Sequence, residues 1–185
     1  MTDPAPAINP YATPRAQVEG AAMEAVMTPF FGVGIYKLLL LSALTFNFYL
    51  VYWFYQNWQR VRMVGKGRPN AVLRSVCYSL TAYSLFKRMR TKSAALGETL
   101  EFAPGGVAWM LLLFLLVSML PAGFFLLALG TSLVLVPIQR QVNAINLKRA
   151  PAADRNESFS GVNIVFMLAG GVVLALVLIG LLLPA

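Results

Sequence analysis

Apolar positions fall into three long runs separated by polar connections, and this pattern predicts helices embedded in a membrane. The first run, residues 35–55, has 21 residues. As a helix it is about 31 Å long, which matches a hydrocarbon core of about 30 Å. The last run, residues 161–183, has 23 residues without a charge. Both runs are predicted as membrane spans.

The middle apolar run, residues 107–138, is too long for one span. Its 32 residues would make a helix of about 48 Å. Proline and glycine together favour tight turns, so Pro121-Ala122-Gly123 is the predicted break. The arms 107–120 and 124–138 then form two short spans or a re-entrant hairpin. An alternative break near Gly130-Thr131-Ser132 leaves one kinked span.

Residues 71–90 favour a helix in the plane of the membrane interface. The uncharged centre is too short to cross, and helical spacing gathers apolar residues on one side. These residues are Val72, Leu73, Val76, Leu80 and Tyr83. Residues 1–34 begin with a proline-rich stretch and are predicted as a disordered or interfacial tail. The expected fold is all-α: a polytopic membrane domain over 35–185, with about four membrane-embedded helices and one interfacial amphipathic helix.

Composition and charge agree with a membrane protein and predict its orientation. The chain is 58% hydrophobic and only 12% charged, against about 25% charged in ordinary soluble domains. Thirteen of its 15 Lys and Arg residues lie in two connections, residues 56–106 and residues 139–158. The positive-inside rule places both connections in the cytoplasm and both termini outside. Lys37, in the first turn of the first run, is expected to extend its amine towards the headgroups.

The stretch FNFYLVYWFYQNWQRVR, residues 46–62, predicts a membrane interface at the end of the first span. Aromatic rings with polar tips prefer this depth, and arginines beyond them reach anionic phosphates. A stacking platform for nucleic acid would use similar residues but would not be embedded in an apolar run. The candidate surface for lipid or a membrane partner, a second copy included, contains Tyr52, Trp53, Tyr55, Asn57, Trp58, Arg60, Arg62, Lys87, Arg88 and Arg90.

Several amides and small residues are candidates for packing between helices. Gln139, Asn143 and Asn146 share one helix face. We expect them to line a polar cavity, to hold the 139–158 loop against Gln56 and Asn57, or to form a solvated helix end. Asn47 and Asn163 lie in or beside spans, where a buried amide needs a partner. Gly171 and Ala175 form a small-xxx-small pair typical of close helix contact, within the chain or between copies.

Catalytic and metal-binding chemistry have little support in this sequence. The chain has no histidine and one cysteine, Cys77. Its seven acidic residues all lie outside the apolar runs. We therefore expect no catalytic residue, metal or cofactor, and a non-enzymatic accessory or scaffold role. The alternative is a small transport or channel component whose path is lined by the 107–138 hairpin. An intramembrane enzyme would need a loop carboxylate such as Glu98, Glu101 or Asp154.

Residues 45–61, with the pattern Y-x-x-Y-W-F-Y-x-N-W, resemble a signature of small uncharacterised bacterial multi-span membrane proteins, a family with a domain of unknown function. Similar pieces follow in the same order at 82–89, at the PAG between the apolar arms, at 137–146 and at 163–171. Residues 68–75 depart from the family's aromatic-rich run. The resemblance implies a bacterial inner-membrane location and a multi-span architecture, but no activity.

Overall fold

The computed structural model of the chain describes residues 28–61, 70–121 and 123–182. Most of the predicted tail, residues 1–27, lies outside the described residues, as do Arg62 and Leu183. The described residues form helices and connecting turns without a strand, so the all-α prediction is confirmed for this part of the chain. The helices are α1 (Ile35–Leu44), α2 (Phe48–Val61), α3 (Ala71–Val76), α4 (Tyr78–Ala95), α5 (Pro104–Ser118), a 3-10 helix (Phe124–Leu135), α6 (Val136–Arg149) and α7 (Gly161–Leu182).

The predicted continuous helix over 35–55 is wrong, because the chain breaks between α1 and α2. Phe46 and Asn47 adopt positive φ angles of 50° and 67°, a left-handed conformation that asparagine tolerates and phenylalanine rarely adopts. The Asn47 N–H donates to Ser42 O at 2.7 Å. The Thr45 hydroxyl then accepts from Tyr49 N at 3.0 Å and supports the start of α2.

The two helices form a hairpin that returns to its starting level. Phe31, before α1, donates its N–H to Asn57 Oδ1 near the end of α2 at 3.2 Å. Lys92 of α4 joins the same ends, because Nζ donates at 2.8 Å both to Pro29 O and to Arg60 O. The residues before α1 therefore lie beside the last turn of α2. A continuous helix over 35–55 would instead separate these two parts of the chain by its full length.

A second hairpin is formed by α5 and the 3-10 helix, which pack against each other along their lengths. The chain reverses between Ser118 and Phe124, where Gly123 has a φ of 81° that favours glycine; Ala122 lies outside the described residues. This is the predicted Pro121-Ala122-Gly123 break, whereas Gly130-Thr131-Ser132 lies within the 3-10 helix. The second arm continues beyond it as α6, whose first turn contains Pro137.

The segment 71–90, predicted as one interfacial helix, is two helices rather than one. Asn70 caps α3 by accepting from the N–H groups of Val72 and Leu73. A turn at Cys77 separates α3 from α4. The face that packs against α2 and α5 is built around Ala82, Leu85, Phe86 and Met89.

Among the residues that the structure describes, two helical stretches are long and apolar enough to cross a membrane, Phe124–Arg149 and Gly161–Leu182. Ile35–Leu44 and Pro104–Ser118 are apolar but shorter, so the expected four membrane-embedded helices are not confirmed. In α7 no residue is buried. The core instead lies where α2, α4, α6 and the segment 28–34 meet, around Trp53, Phe54, Trp58 and Phe86.

Candidate functional site

The predicted amide stripe of α6 holds an extended piece of the chain's own backbone. Asn146 is 6% exposed and makes two bonds to Phe30. Its Oδ1 accepts from Phe30 N at 3.2 Å, and its Nδ2 donates to Phe30 O at 3.0 Å. Asn143 donates from Nδ2 to Val33 O at 2.9 Å. These side chains bind residues 30–33 as a neighbouring strand would bind them.

Gln139 connects this stripe to the aromatic core. Its Nε2 donates to Phe31 O at 3.0 Å and to Asn143 Oδ1 at 2.7 Å. Its Oε1 accepts from the Trp53 indole N–H at 2.6 Å. From α2, Asn57 Oδ1 accepts from Phe31 N. The sequence predicted that these amides hold the 139–158 loop against Gln56 and Asn57. They and Asn57 instead hold residues 30–33, and Gln56 bonds to Arg60.

A fifth amide, Asn156, was missed by the sequence reasoning. Its Nδ2 donates to Gly32 O at 3.1 Å, and its backbone O accepts from Gly34 N at 3.3 Å. We call Asn57, Gln139, Asn143, Asn146 and Asn156 the amide clamp. Buried backbone groups outside regular structure require such partners. Asn156 lies in an irregular loop, where no periodic pattern distinguishes it from other loop amides.

The amine of Lys37 does not extend outwards from the first turn of α1 as predicted. It is 5% exposed, and its Nζ donates at 2.7 Å to both Asn156 Oδ1 and Ser158 O. With the Asn163 amide oriented so that its oxygen faces Lys37, that oxygen also accepts from Nζ at 3.1 Å. The loop before α7 therefore encloses the amine in neutral acceptors.

Part of the predicted aromatic surface is in the interior. Trp53, Asn57 and Trp58 are fully buried, because α2 turns this side towards α4 and α6. Tyr52 is 45% exposed and Tyr55 is half-buried. Arg60 is half-buried as well and lies over the Phe31 ring at 5.1 Å. The three buried residues are thus corrected from surface to core.

The basic residues of α4 divide into two groups. Lys87 and Arg90 are exposed. Arg88 instead stacks on the Trp58 ring at 5.9 Å, and Arg74 of α3 stacks on the same ring at 4.9 Å. Lys92 lies deeper, and its pKa is lowered from the ordinary value first by burial and then by repulsion from Arg60.

The apolar side of α3 and α4 faces outward. Val72, Leu73, Val76, Leu80 and Tyr83 are between 53% and 73% exposed, while Ser75, Ser79 and Ser93 on the opposite side are buried. Further along the same exposed side lie Lys87 and Arg90. We call these seven exposed residues the α3–α4 stripe.

Within the chain, close helix contact occurs at Gly170 and not at the predicted Gly171–Ala175 pair, whose contact between copies stays a prediction. A Cβ at Gly170 would lie 1.5 Å from Leu44 O, so only glycine fits against the end of α1. A Cβ at Gly171 would lie 4.0 Å from Leu44 Cδ2, an ordinary contact, and Ala175 is exposed. Asn47 joins the two hairpins by donating from Nδ2 to Ala128 O at 2.6 Å.

The carboxylates considered for catalysis have structural contacts. Glu98 pairs with Lys148 at 3.1 Å and with Arg149 at 3.6 Å. The backbone of Glu101 is held by Gln141, and Asp154 Oδ1 accepts from Asn156 N at 2.9 Å. Within residues 28–61, 70–121 and 123–182 no cluster of three or more His, Cys, Asp or Glu side chains could hold a metal.

No family model, curated protein or solved structure matches this chain. The resemblance to the bacterial multi-span family therefore stays a prediction, based on residues 45–61 and on the similar pieces that follow them in the same order.

Proposed function

We propose that this chain is a non-enzymatic integral protein of a bacterial inner membrane. It acts as an accessory or scaffold protein whose α3–α4 stripe contacts anionic lipid or a membrane partner. The single observation that carries this function is the orientation of the stripe. Its apolar residues point away from the core while the serines of the same helices point inward. A helix of this kind stabilises a soluble protein poorly and suits an interface that covers it.

The surface of α7 supports membrane embedding. The helix has 22 residues, about 33 Å, close to the hydrocarbon thickness of about 30 Å. Its side chains carry no charge, and large apolar residues such as Phe166 and Leu182 are exposed on it. The second hairpin reaches equally far, because a Cβ at Gly123 would lie 3.7 Å from Leu181 Cδ1.

The contacts of the first hairpin support a topology with the N-terminal side inside. Segment 28–34 lies against α6 and the loop before α7, the same region that holds the basic residues of the second connection. We propose that α1 and α2 enter the cytoplasmic leaflet and return, that the second hairpin crosses and returns, and that α7 crosses once. The C-terminal end of α7 is then outside. This replaces the sequence-based placement of the N-terminus outside.

Transport through the second hairpin has weaker support. The amides expected to line a path bond to the chain's own backbone and to Trp53. Thr131 and Ser132 of the 3-10 helix are buried, and Thr131 bonds to Ala128 O. Polar groups that are already satisfied offer a solute little.

Photocrosslinking from the α3–α4 stripe tests the proposed function. A diazirine amino acid replaces Leu80 in the full chain in cells, and Leu147, an exposed leucine of α6 outside the stripe, serves as the matched control. We expect phospholipid or one membrane protein to be captured from Leu80 and not from Leu147. Reversing Lys87 and Arg90 to glutamate should reduce this capture, since each basic residue near an anionic surface contributes about 1 kcal/mol. Equal capture from both positions would refute the proposal.

A further inference from the structure

A groove of about 850 Å³ lies between the first hairpin, the loop before α7 and α7 itself. One end is polar and includes Lys37, Asp154 and Asn163, whereas the walls include Leu41, Phe46 and Phe166. The groove therefore has the polarity of an amphiphile, with a hydrogen-bonding end and an apolar body.

The length of the groove matches one leaflet. It runs along α1 from Lys37 in the first turn to Phe46 at the tip of the hairpin. The ten residues of α1 rise about 15 Å, half of a hydrocarbon core of about 30 Å. If the first hairpin enters the cytoplasmic leaflet, as proposed above, an acyl chain of that leaflet fits along this wall with its headgroup beside Lys37.

The charges at the polar end select among headgroups. Lys37 is buried, whereas Asp154 is exposed at the mouth. Among the described residues both ion pairs within 4.0 Å involve Glu98, so these two charges are not joined to each other. The groove thus presents a deep positive charge and an outer negative charge. Phosphoethanolamine has the complementary order, with its phosphate next to the glycerol and its ammonium outermost.

We infer that this groove binds one phospholipid with a primary-amine headgroup, phosphatidylethanolamine, from the cytoplasmic leaflet. The phosphate is attracted by the positive charge of Lys37 without a hydrogen bond, because the three Nζ protons already donate to Asn156, Ser158 and Asn163. The ammonium faces Asp154. This inference rests on the proposed membrane topology but concerns a site separate from the α3–α4 stripe. Phosphatidylglycerol lacks the cation, and the trimethylated amine of phosphatidylcholine has no N–H to donate to a carboxylate.

Lipid retention by the purified full-length protein, measured by native mass spectrometry, tests the inference. The probes are phosphatidylethanolamine, phosphatidylglycerol and phosphatidylcholine with identical acyl chains. We expect the first to bind about two- to fivefold more tightly than the others, the range for an exposed ion pair. Asp154→Asn should remove this preference and keep the fold, because an amide oxygen still accepts from Asn156 N. A wild-type protein without the preference, or an unchanged preference in Asp154→Asn, would overturn the inference.

The apolar wall is tested by a matched pair of substitutions on α7. Ala169 lines the groove, whereas Ala175 is exposed outside it. Ala169→Phe should lower retention of all three lipids by about threefold or more, because the phenyl ring would occupy the space of the acyl chain. Ala175→Phe should leave retention unchanged. Equal effects of the two substitutions would mean that the retained lipid is non-specific annular lipid, which would overturn the inferred site. Crosslinking from Leu80 is independent of the groove, so failure here and failure of the proposed function give different results.

Discussion

Removing the Asn146 side chain should destabilise the protein far more than the loss of two solvent-exposed hydrogen bonds would. In Asn146→Ala, the buried Phe30 N–H loses its acceptor. Phe30 O loses one donor but keeps the Thr28 hydroxyl at 2.8 Å. The cost therefore falls mainly on one orphaned N–H, about 1–3 kcal/mol, with a further contribution from the trimmed side chain. We expect a total of about 2–3 kcal/mol.

Gln141 provides a control with the same bonding pattern in a different environment. Its Oε1 accepts from Glu101 N at 2.6 Å and its Nε2 donates to Glu101 O at 3.2 Å, but both bonds are exposed. Water replaces the side chain in Gln141→Ala, so this variant should cost less than about 0.5 kcal/mol. The comparison separates burial from the number of hydrogen bonds.

Two measurements on the protein in detergent micelles check the prediction. The free energy of unfolding is obtained from the helical circular dichroism signal during titration with a denaturing detergent. Hydrogen exchange with mass spectrometry follows the peptide containing Phe30 and Phe31, where 2 kcal/mol corresponds to exchange about 30-fold faster. If Asn146→Ala were no less stable than Gln141→Ala, the segment would not depend on the clamp, and the reasoning would be refuted.

Two further predictions concern helix contact and topology. Gly170→Ala should lower the free energy of unfolding by about 1–3 kcal/mol in the same titration, because its Cβ would meet the backbone of Leu44. Gly171→Ala should be nearly neutral. Equal stability of the two variants would contradict the close contact at Gly170. In a Cys77→Ser background labelled in intact cells with an impermeant thiol reagent, cysteines at Thr28 and Ala152 should stay unlabelled and one at Met119, exposed at the tip of the second hairpin, should react. Labelling at Thr28 would contradict the proposed topology and support an N-terminus outside the cell membrane.

Much of the candidate chemistry was recognisable from sequence but not its partners. The i, i+4, i+7 spacing of Gln139, Asn143 and Asn146 placed them on one face, yet the segment they hold lies more than 100 residues away in the chain. Trp53 and Trp58 have the composition of a membrane interface. Their burial depends on which side of α2 meets α4, and the local pattern does not contain that information.

The sequence by itself determined the helical class, the apolar runs, the break at Pro121-Ala122-Gly123 and the outward apolar side of 71–90. Each follows from local periodicity, from turn chemistry or from hydrophobicity averaged over a window. Only the tertiary structure decided that residues 35–55 reverse at Phe46 and Asn47, that Lys37 is enclosed, and that Gly170 carries the helix contact. An apolar run of spanning length is compatible with one crossing helix or with two packed halves. The choice depends on distant partners such as Ala128 O for Asn47 and Phe31 N for Asn57, which exist only in the folded chain.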